Sequence, residues 1–96
     1  MKINIASNRV AILQSSNMSL GVNLLFNFVQ RTAATLSEIN YDIEISETHH
    51  KHKIDAPSGT AIMLGKFASK GRQKNFDDVK VYDRTKKLEK RKLGDI

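Results

Sequence analysis

The residues best equipped for chemistry lie between positions 47 and 61, where the chain reads E-T-H-H-K-H-K-I-D-A-P-S-G-T-A. Three histidines and two lysines occupy residues 49–53, directly before a Pro-Ser-Gly-Thr turn. Histidine exchanges protons near neutral pH, and a neighbouring ammonium supplies a second proton or stabilises developing negative charge. This composition predicts a site that binds an anionic substrate and protonates it.

The proton-bearing side chains follow a predicted strand, so their directions alternate if the chain stays extended. His49, Lys51 and Lys53 then face one way, and His50 and His52 the other. We expect Asp55 to balance this positive charge or to orient a lysine.

The turn after the cluster predicts a helix start that can hold a carboxylate or phosphate. Ser58, Gly59 and Thr60 lie where the helix begins, and helix N-termini present free N–H groups and a positive dipole end. Gly59 allows close backbone approach, and the Thr60 hydroxyl adds a donor. The alternative is a solvated surface followed by an ordinary helix cap.

Zinc is a further alternative for the same stretch. Its ligands would come from Glu47, His49, His50 and His52. Adjacent histidines diverge on a strand and the flanking lysines repel a cation, so we predict no metal site.

Apolar spacing predicts the elements that must position this cluster. The order is strand, helix, strand, loop, helix and a further short strand. The strands are predicted at Val10–Leu13, Tyr41–Glu47 and Val79–Tyr82. The helices are predicted from an Asn17 or Ser19 cap to an Asn40 stop and from a Ser58 cap to a Gly71 stop. The buried face of the first helix is predicted at Met18, Val22, Leu25, Val29, Ala33 and Leu36, widened by Leu24 and Phe28.

Length and composition limit the class of protein. The 96 residues suffice for one small domain, and the absence of cysteine suits a cytoplasmic setting. Polar residues interrupt the apolar positions of 18–36, so we predict no membrane span. The net charge of +6 is concentrated in residues 84–92, which leaves a small nucleic-acid-binding or anion-binding module as an alternative function.

The pattern E-x-H-H-x-x-K-x-D-A-P-S-G-T-A resembles the signature of the bacterial 4-hydroxy-tetrahydrodipicolinate reductase family, formerly called dihydrodipicolinate reductase. The segments 16–25, 77–84 and 91–96 also resemble that family, so the similarity extends over essentially the whole chain. It implies an α+β fold: part of a substrate-binding and tetramerisation domain with a mixed sheet and two helices, lacking the N-terminal Rossmann domain. Residues 1–14 would be a remnant of the nucleotide-binding domain and residues 15–96 an incomplete substrate-binding domain.

The resemblance also implies an activity and residue roles. The family uses NADH or NADPH to convert 4-hydroxy-tetrahydrodipicolinate to tetrahydrodipicolinate in lysine and diaminopimelate biosynthesis. By motif position, His49 resembles the proton donor or acceptor and Lys53 the second proton donor. His50 resembles a substrate-binding residue, and Gly59 with Thr60 the pair that holds a substrate carboxylate. The residues that resemble cofactor contacts are Ser15, Ser16, Asn17 and Met18.

The chain departs from the family in its glycines, which stand at positions 21, 59, 65, 71 and 94 and form no Gly-rich nucleotide-binding loop. We therefore expect a fragment with little or no reductase activity alone, which measurable turnover by these 96 residues would refute. The expected partners are the cyclic dicarboxylate and either further copies of the chain, since the family forms tetramers, or a separate nucleotide-binding half.

Overall fold

The computed structural model describes Asn8, Val10, Ala11 and residues 19–96. Within these residues the chain forms three helices: α1 (Leu20–Thr35), α2 (Gly59–Gly71) and the short α3 (Phe76–Val79). The strand predicted at 10–13 lies mostly outside the described residues, as does the proposed domain boundary at 14/15. None of the described helices is both long and apolar enough to cross a bilayer.

Helix α1 confirms the first predicted helix and part of its predicted face, because Ala33 belongs to the core and Val29 packs against it. The helix ends at Thr35 and not at Asn40 as predicted. Ser19 is the N-cap, and its hydroxyl accepts the N–H of Val22 at 3.4 Å. The buried side chains are Phe26, only 2% exposed, and Ala33, whereas Leu25 and Phe28 are 45% and 67% exposed. The apolar residues recur on more than one side of the helix, and packing against α2 selects the side that carries Phe26.

Helix α2 begins directly after Ser58, the predicted cap. The Ser58 hydroxyl accepts the N–H of Ala61 at 3.1 Å, and the helix runs to Gly71. The end at Gly71 agrees with the predicted stop, and two residues later Gln73 has a positive φ of 56°. A Cβ at Gly71 would overlap the carbonyl oxygen of Gln30, so this glycine allows α2 to approach α1 closely.

The two long helices pack through one aromatic pair and a small aliphatic core. The rings of Phe26 and Phe67 stack with centroids 5.1 Å apart and an interplanar angle of 11°. The core cluster consists of Ala33, Ala68, Val79 and Ile96, with the partly buried Val29, Ile43 and Ile45 packed against it.

The predicted mixed sheet is wrong for the described part of the chain, where no residue of 19–96 belongs to a strand. In the segment 41–47 the alternation itself is present, because Ile43 and Ile45 pack on the core while Asp42, Glu44 and Ser46 are exposed. A strand also needs a partner backbone. Here side chains bond the carbonyls instead: Arg72 donates to Tyr41 at 2.8 Å and Arg91 to Ile43 at 3.1 Å.

The strand predicted at Val79–Tyr82 is also wrong, because Val79 is the last residue of α3. The backbone beyond it pairs with the C-terminal residue. Ile96 donates its N–H to the Val79 carbonyl at 2.9 Å, and Val81 donates to the Ile96 carbonyl at 2.8 Å. This is the pattern of parallel strand pairing, restricted to a single step.

Candidate functional site

A cavity of about 450 Å³ lies between the segment 45–53 and the start of α2. Four of the predicted site residues line it together: His49, Lys53, Gly59 and Thr60. The other lining residues are Ile45, Ser46, Glu47, Ser58, Ala61 and Leu64. Two side chains able to carry protons therefore lie beside a helix N-terminus.

His49 is paired with a carboxylate two residues before it. Its Nε2 atom lies 3.0 Å from Oε1 of Glu47, and the two side chains are 35% and 27% exposed. The contact is partly shielded from solvent, so the imidazole has a preferred partner and direction.

The same Glu47 carboxylate reaches the cap of α2. Oε1 accepts the backbone N–H of Ser58 at 3.1 Å, and Oε2 accepts the Ser58 hydroxyl at 2.8 Å. The hydrogen bond from the Ser58 hydroxyl lowers the pKa of Glu47 below its usual value, against a smaller opposing effect of desolvation. The sequence did not predict these Glu47–Ser58 hydrogen bonds, and Glu47 was considered only as a zinc ligand. The one feature that could have indicated them is an acidic residue upstream of a serine helix cap.

Lys53 forms an ion pair with Asp55, as predicted for that aspartate. The lysine side chain is 26% exposed and the aspartate 68%. The hydrogen bond from the Lys53 ammonium lowers the pKa of the Asp55 carboxyl. The mostly exposed Asp55 can thus hold the lysine while leaving it on the cavity wall.

His50 does not line the cavity with the other predicted residues. Its Nδ1 accepts the backbone N–H of His52 at 3.1 Å, and the two rings lie 5.8 Å apart at 48°. His49 and Lys53 line the cavity without His50. The alternating directions do not account for this, because the chain turns here, with the Lys53 N–H donating to the His50 carbonyl at 3.2 Å, and Lys51 does not line the cavity. A substrate-binding role for His50 stays a prediction.

Gly59 and Thr60 are the first two residues of α2. Amides in the first turn of a helix have no intrahelical acceptor, and the Ser58 hydroxyl accepts only that of Ala61. Gly59 is exposed and Thr60 half-buried. The helix start can therefore receive an anion that enters the cavity.

Two other predictions concern the cofactor and a metal ion. Residues 15–18, proposed as cofactor contacts, lie outside the described residues. Over the described part of the chain, no group of three or more histidine or acidic side chains could hold a metal ion.

The basic segment 84–92 is not uniformly exposed. Arg91 lies 2.8 Å and Arg84 3.4 Å from Oε1 of Glu44, and Arg84 is 3.7 Å from Asp95. Both arginines are only partly exposed, whereas Lys86, Lys87, Lys90 and Lys92 are exposed. Part of the positive charge is thus used within the fold.

In the described geometry, two side chains able to carry protons stand beside a helix N-terminus. The family model described as "Dihydrodipicolinate reductase, C-terminus" matches residues 21–95. The chain belongs to this family.

Relatives of similar sequence carry the name 4-hydroxy-tetrahydrodipicolinate reductase. The protein of Bartonella bacilliformis is 47% identical over 95 residues, covering 99% of this chain and 35% of the relative. That of Sulfurovum sp. is 48% identical over 91 residues, covering 95% and 35%, and that of Bradyrhizobium sp. is 49% identical over 94 residues, covering 98% and 34%. The chain spans about a third of the length of the curated relatives it matches.

Proposed function

We propose that this chain supplies the substrate-binding and proton-donating residues of a cytoplasmic 4-hydroxy-tetrahydrodipicolinate reductase of lysine and diaminopimelate biosynthesis. The observation that carries the proposal is the cavity of about 450 Å³ lined together by His49, Lys53, Gly59 and Thr60. Membership of the family supports the choice of substrate among small anions.

The start of α2 holds one carboxylate of the cyclic substrate. The amides of Gly59 and Thr60 offer N–H donors at the positive end of the helix dipole, and the Thr60 hydroxyl adds a third donor. Because Gly59 has no side chain, the carboxylate can approach the backbone. This contact fixes the ring relative to the cavity wall.

His49 and Lys53 act on the remaining part of the substrate. The lysine ammonium attracts the second carboxylate of the substrate and can donate a hydrogen bond to it. His49 donates or accepts a proton at the reacting ring, as the motif resemblance implies. Both residues line the same cavity as the helix start, so one ligand can contact all of them.

A reductase of this kind requires NADH or NADPH, which supplies hydride when bound. The phosphates of a dinucleotide need a Gly-rich turn, and the five glycines of this chain do not provide that spacing. The described residues therefore do not fit the cofactor. We propose substrate binding and proton supply for them, and not hydride delivery.

Calorimetric titration with pyridine-2,6-dicarboxylate, the aromatic analogue of the substrate ring, tests the proposal. We expect Lys53→Gln to weaken binding about tenfold or more, because one charge-assisted hydrogen bond contributes ~1.5 kcal/mol or more. The matched control is Lys51→Gln, which removes the same charge from a residue that does not line the cavity.

The control should change the dissociation constant by less than about twofold, since exposed charges are screened by solvent. Equal weakening by the two substitutions would mean that the cluster attracts anions only diffusely. That result, or no binding by the unsubstituted chain, would refute the proposed site.

A further inference from the structure

The Glu47 carboxylate joins the two parts of the cluster that the proposed function treats separately. Its Oε1 lies 3.0 Å from Nε2 of His49 and accepts the Ser58 N–H at 3.1 Å, while Oε2 accepts the Ser58 hydroxyl at 2.8 Å. Ser58 in turn caps α2 by accepting the N–H of Ala61. One side chain thus contacts both the proton donor and the carboxylate cradle.

The chemistry of a carboxylate fixes the direction of the His49 bond. An ionised carboxylate can only accept hydrogen bonds, so the hydrogen between Glu47 and His49 belongs to Nε2. The Ser58 hydroxyl lowers the pKa of Glu47, which keeps this carboxylate ionised near neutral pH.

The second ring nitrogen of His49 is then the one available to a ligand. Among residues 19–96, Nδ1 of His49 has no hydrogen-bond partner. In the neutral ring with hydrogen on Nε2, Nδ1 is an acceptor, and in the protonated ring it is a second donor. Proton exchange at Nδ1 leaves the Glu47 contact intact in both states.

We infer that Glu47 is the positioning residue of this site: it holds Nε2 of His49 toward the start of α2 and leaves Nδ1 to exchange the proton with substrate. In that transfer the Nδ1–H bond of protonated His49 breaks. The proton bonds to the electron-rich substrate atom, and the electron pair stays on Nδ1. The identity of the proton acceptor rests on the proposed function, whereas the ring orientation does not.

The test is a long-range ¹H–¹⁵N NMR spectrum of the 96-residue chain with ¹⁵N-labelled histidine, at about pH 8.5, where imidazole is neutral. Wild type should show a single His49 tautomer, with Nε2 protonated and Nδ1 unprotonated. Glu47→Gln should populate the Nδ1–H tautomer, because its amide can donate to Nε2 as well as accept from it.

Two further variants separate positioning from a structural role. Ser58→Ala removes the Oε2 contact and the cap but leaves Glu47 bonded to His49, so the single tautomer should persist. Glu89→Gln removes an exposed carboxylate from the basic segment and should leave the His49 spectrum unchanged.

A His49 spectrum that is identical in wild type and Glu47→Gln would overturn the inference. An Nδ1–H tautomer in the wild-type chain would also overturn it, and that measurement does not depend on the folding of any variant. These spectra are recorded without ligand, so they test the role of Glu47 separately from substrate binding. If the chain shows the single Nε2–H tautomer but does not bind the dicarboxylate, the role of Glu47 is supported and the proposed function is refuted.

Discussion

At the scale of single residues, Asp55 balances the charge of Lys53 before any ligand arrives. The lysine lines the cavity, while the aspartate that binds it is 68% exposed. Such a contact fixes the direction of the ammonium without removing it from solvent. A bound carboxylate can compete with Asp55 for the same ammonium.

The Asp55 pKa provides a prediction at this scale. Its value in the folded chain is lowered from the ordinary 3.8, so ionised Asp55 favours the fold. This contribution is fully present above pH 3.8 and is lost as pH falls through the lowered value. In Lys53→Gln, we expect carboxyl ¹³C NMR to show the Asp55 midpoint rising toward 3.8.

Asp83 is the control for that titration. Its pKa is lowered by hydrogen bonds from Thr85, a partner that Lys53→Gln leaves in place, so its midpoint should not move. An unchanged Asp55 midpoint in the variant would show that Lys53 does not hold the aspartate.

Four residues that the sequence predicts as parts of one site line one cavity, whereas His50 from the same stretch does not. His49, Lys53, Gly59 and Thr60 follow one another closely, and the helix start that Gly59 and Thr60 supply is marked by its own cap. The Glu47–Ser58 bonds join residues 11 positions apart and depend on the path of the intervening turn. No spacing rule predicts that path.

At the scale of elements, the helices were predictable and the sheet was not. Caps at Ser19 and Ser58 are local signals, read within four residues of each helix start. A strand needs a partner from elsewhere in the chain. The alternation of Ile43 and Ile45 correctly indicates their contact with the core but does not predict that Arg91 would bond the Ile43 carbonyl.

The close contact between α1 and α2 at Gly71 can be tested by substitution. Gly71→Ala places a methyl group against the carbonyl oxygen of Gln30, which is backbone and cannot move aside. We expect a loss of ~1–3 kcal/mol in the free energy of unfolding, measured by urea denaturation followed by circular dichroism.

Gly21→Ala is the matched control, because it makes the same change in α1. Its added Cβ would come no closer than 3.9 Å to Ser19 Oγ, in ordinary van der Waals contact. Since alanine favours helix over glycine, this variant should be neutral or more stable by up to ~1 kcal/mol. A Gly71→Ala protein as stable as Gly21→Ala would contradict the close packing of the two helices.

At the scale of the whole molecule, Ile96 belongs to the core cluster together with Ala33 and Ala68 of the two long helices. Ile96 is 8% exposed and bonds to Val79 and Val81 through its backbone. Arg84 and Arg91 contact Glu44 on the segment that leads to the cavity. The four exposed lysines of this segment remain the alternative place for an anion to bind.

Chemical-shift mapping over the whole chain distinguishes these two places most directly. In ¹H–¹⁵N spectra recorded during titration with pyridine-2,6-dicarboxylate, we predict the largest shifts at the amides of 58–61, together with those of His49 and Lys53. Largest shifts within residues 84–92, or no shifts at any amide, would contradict the claim that His49, Lys53 and the start of α2 form one dicarboxylate site.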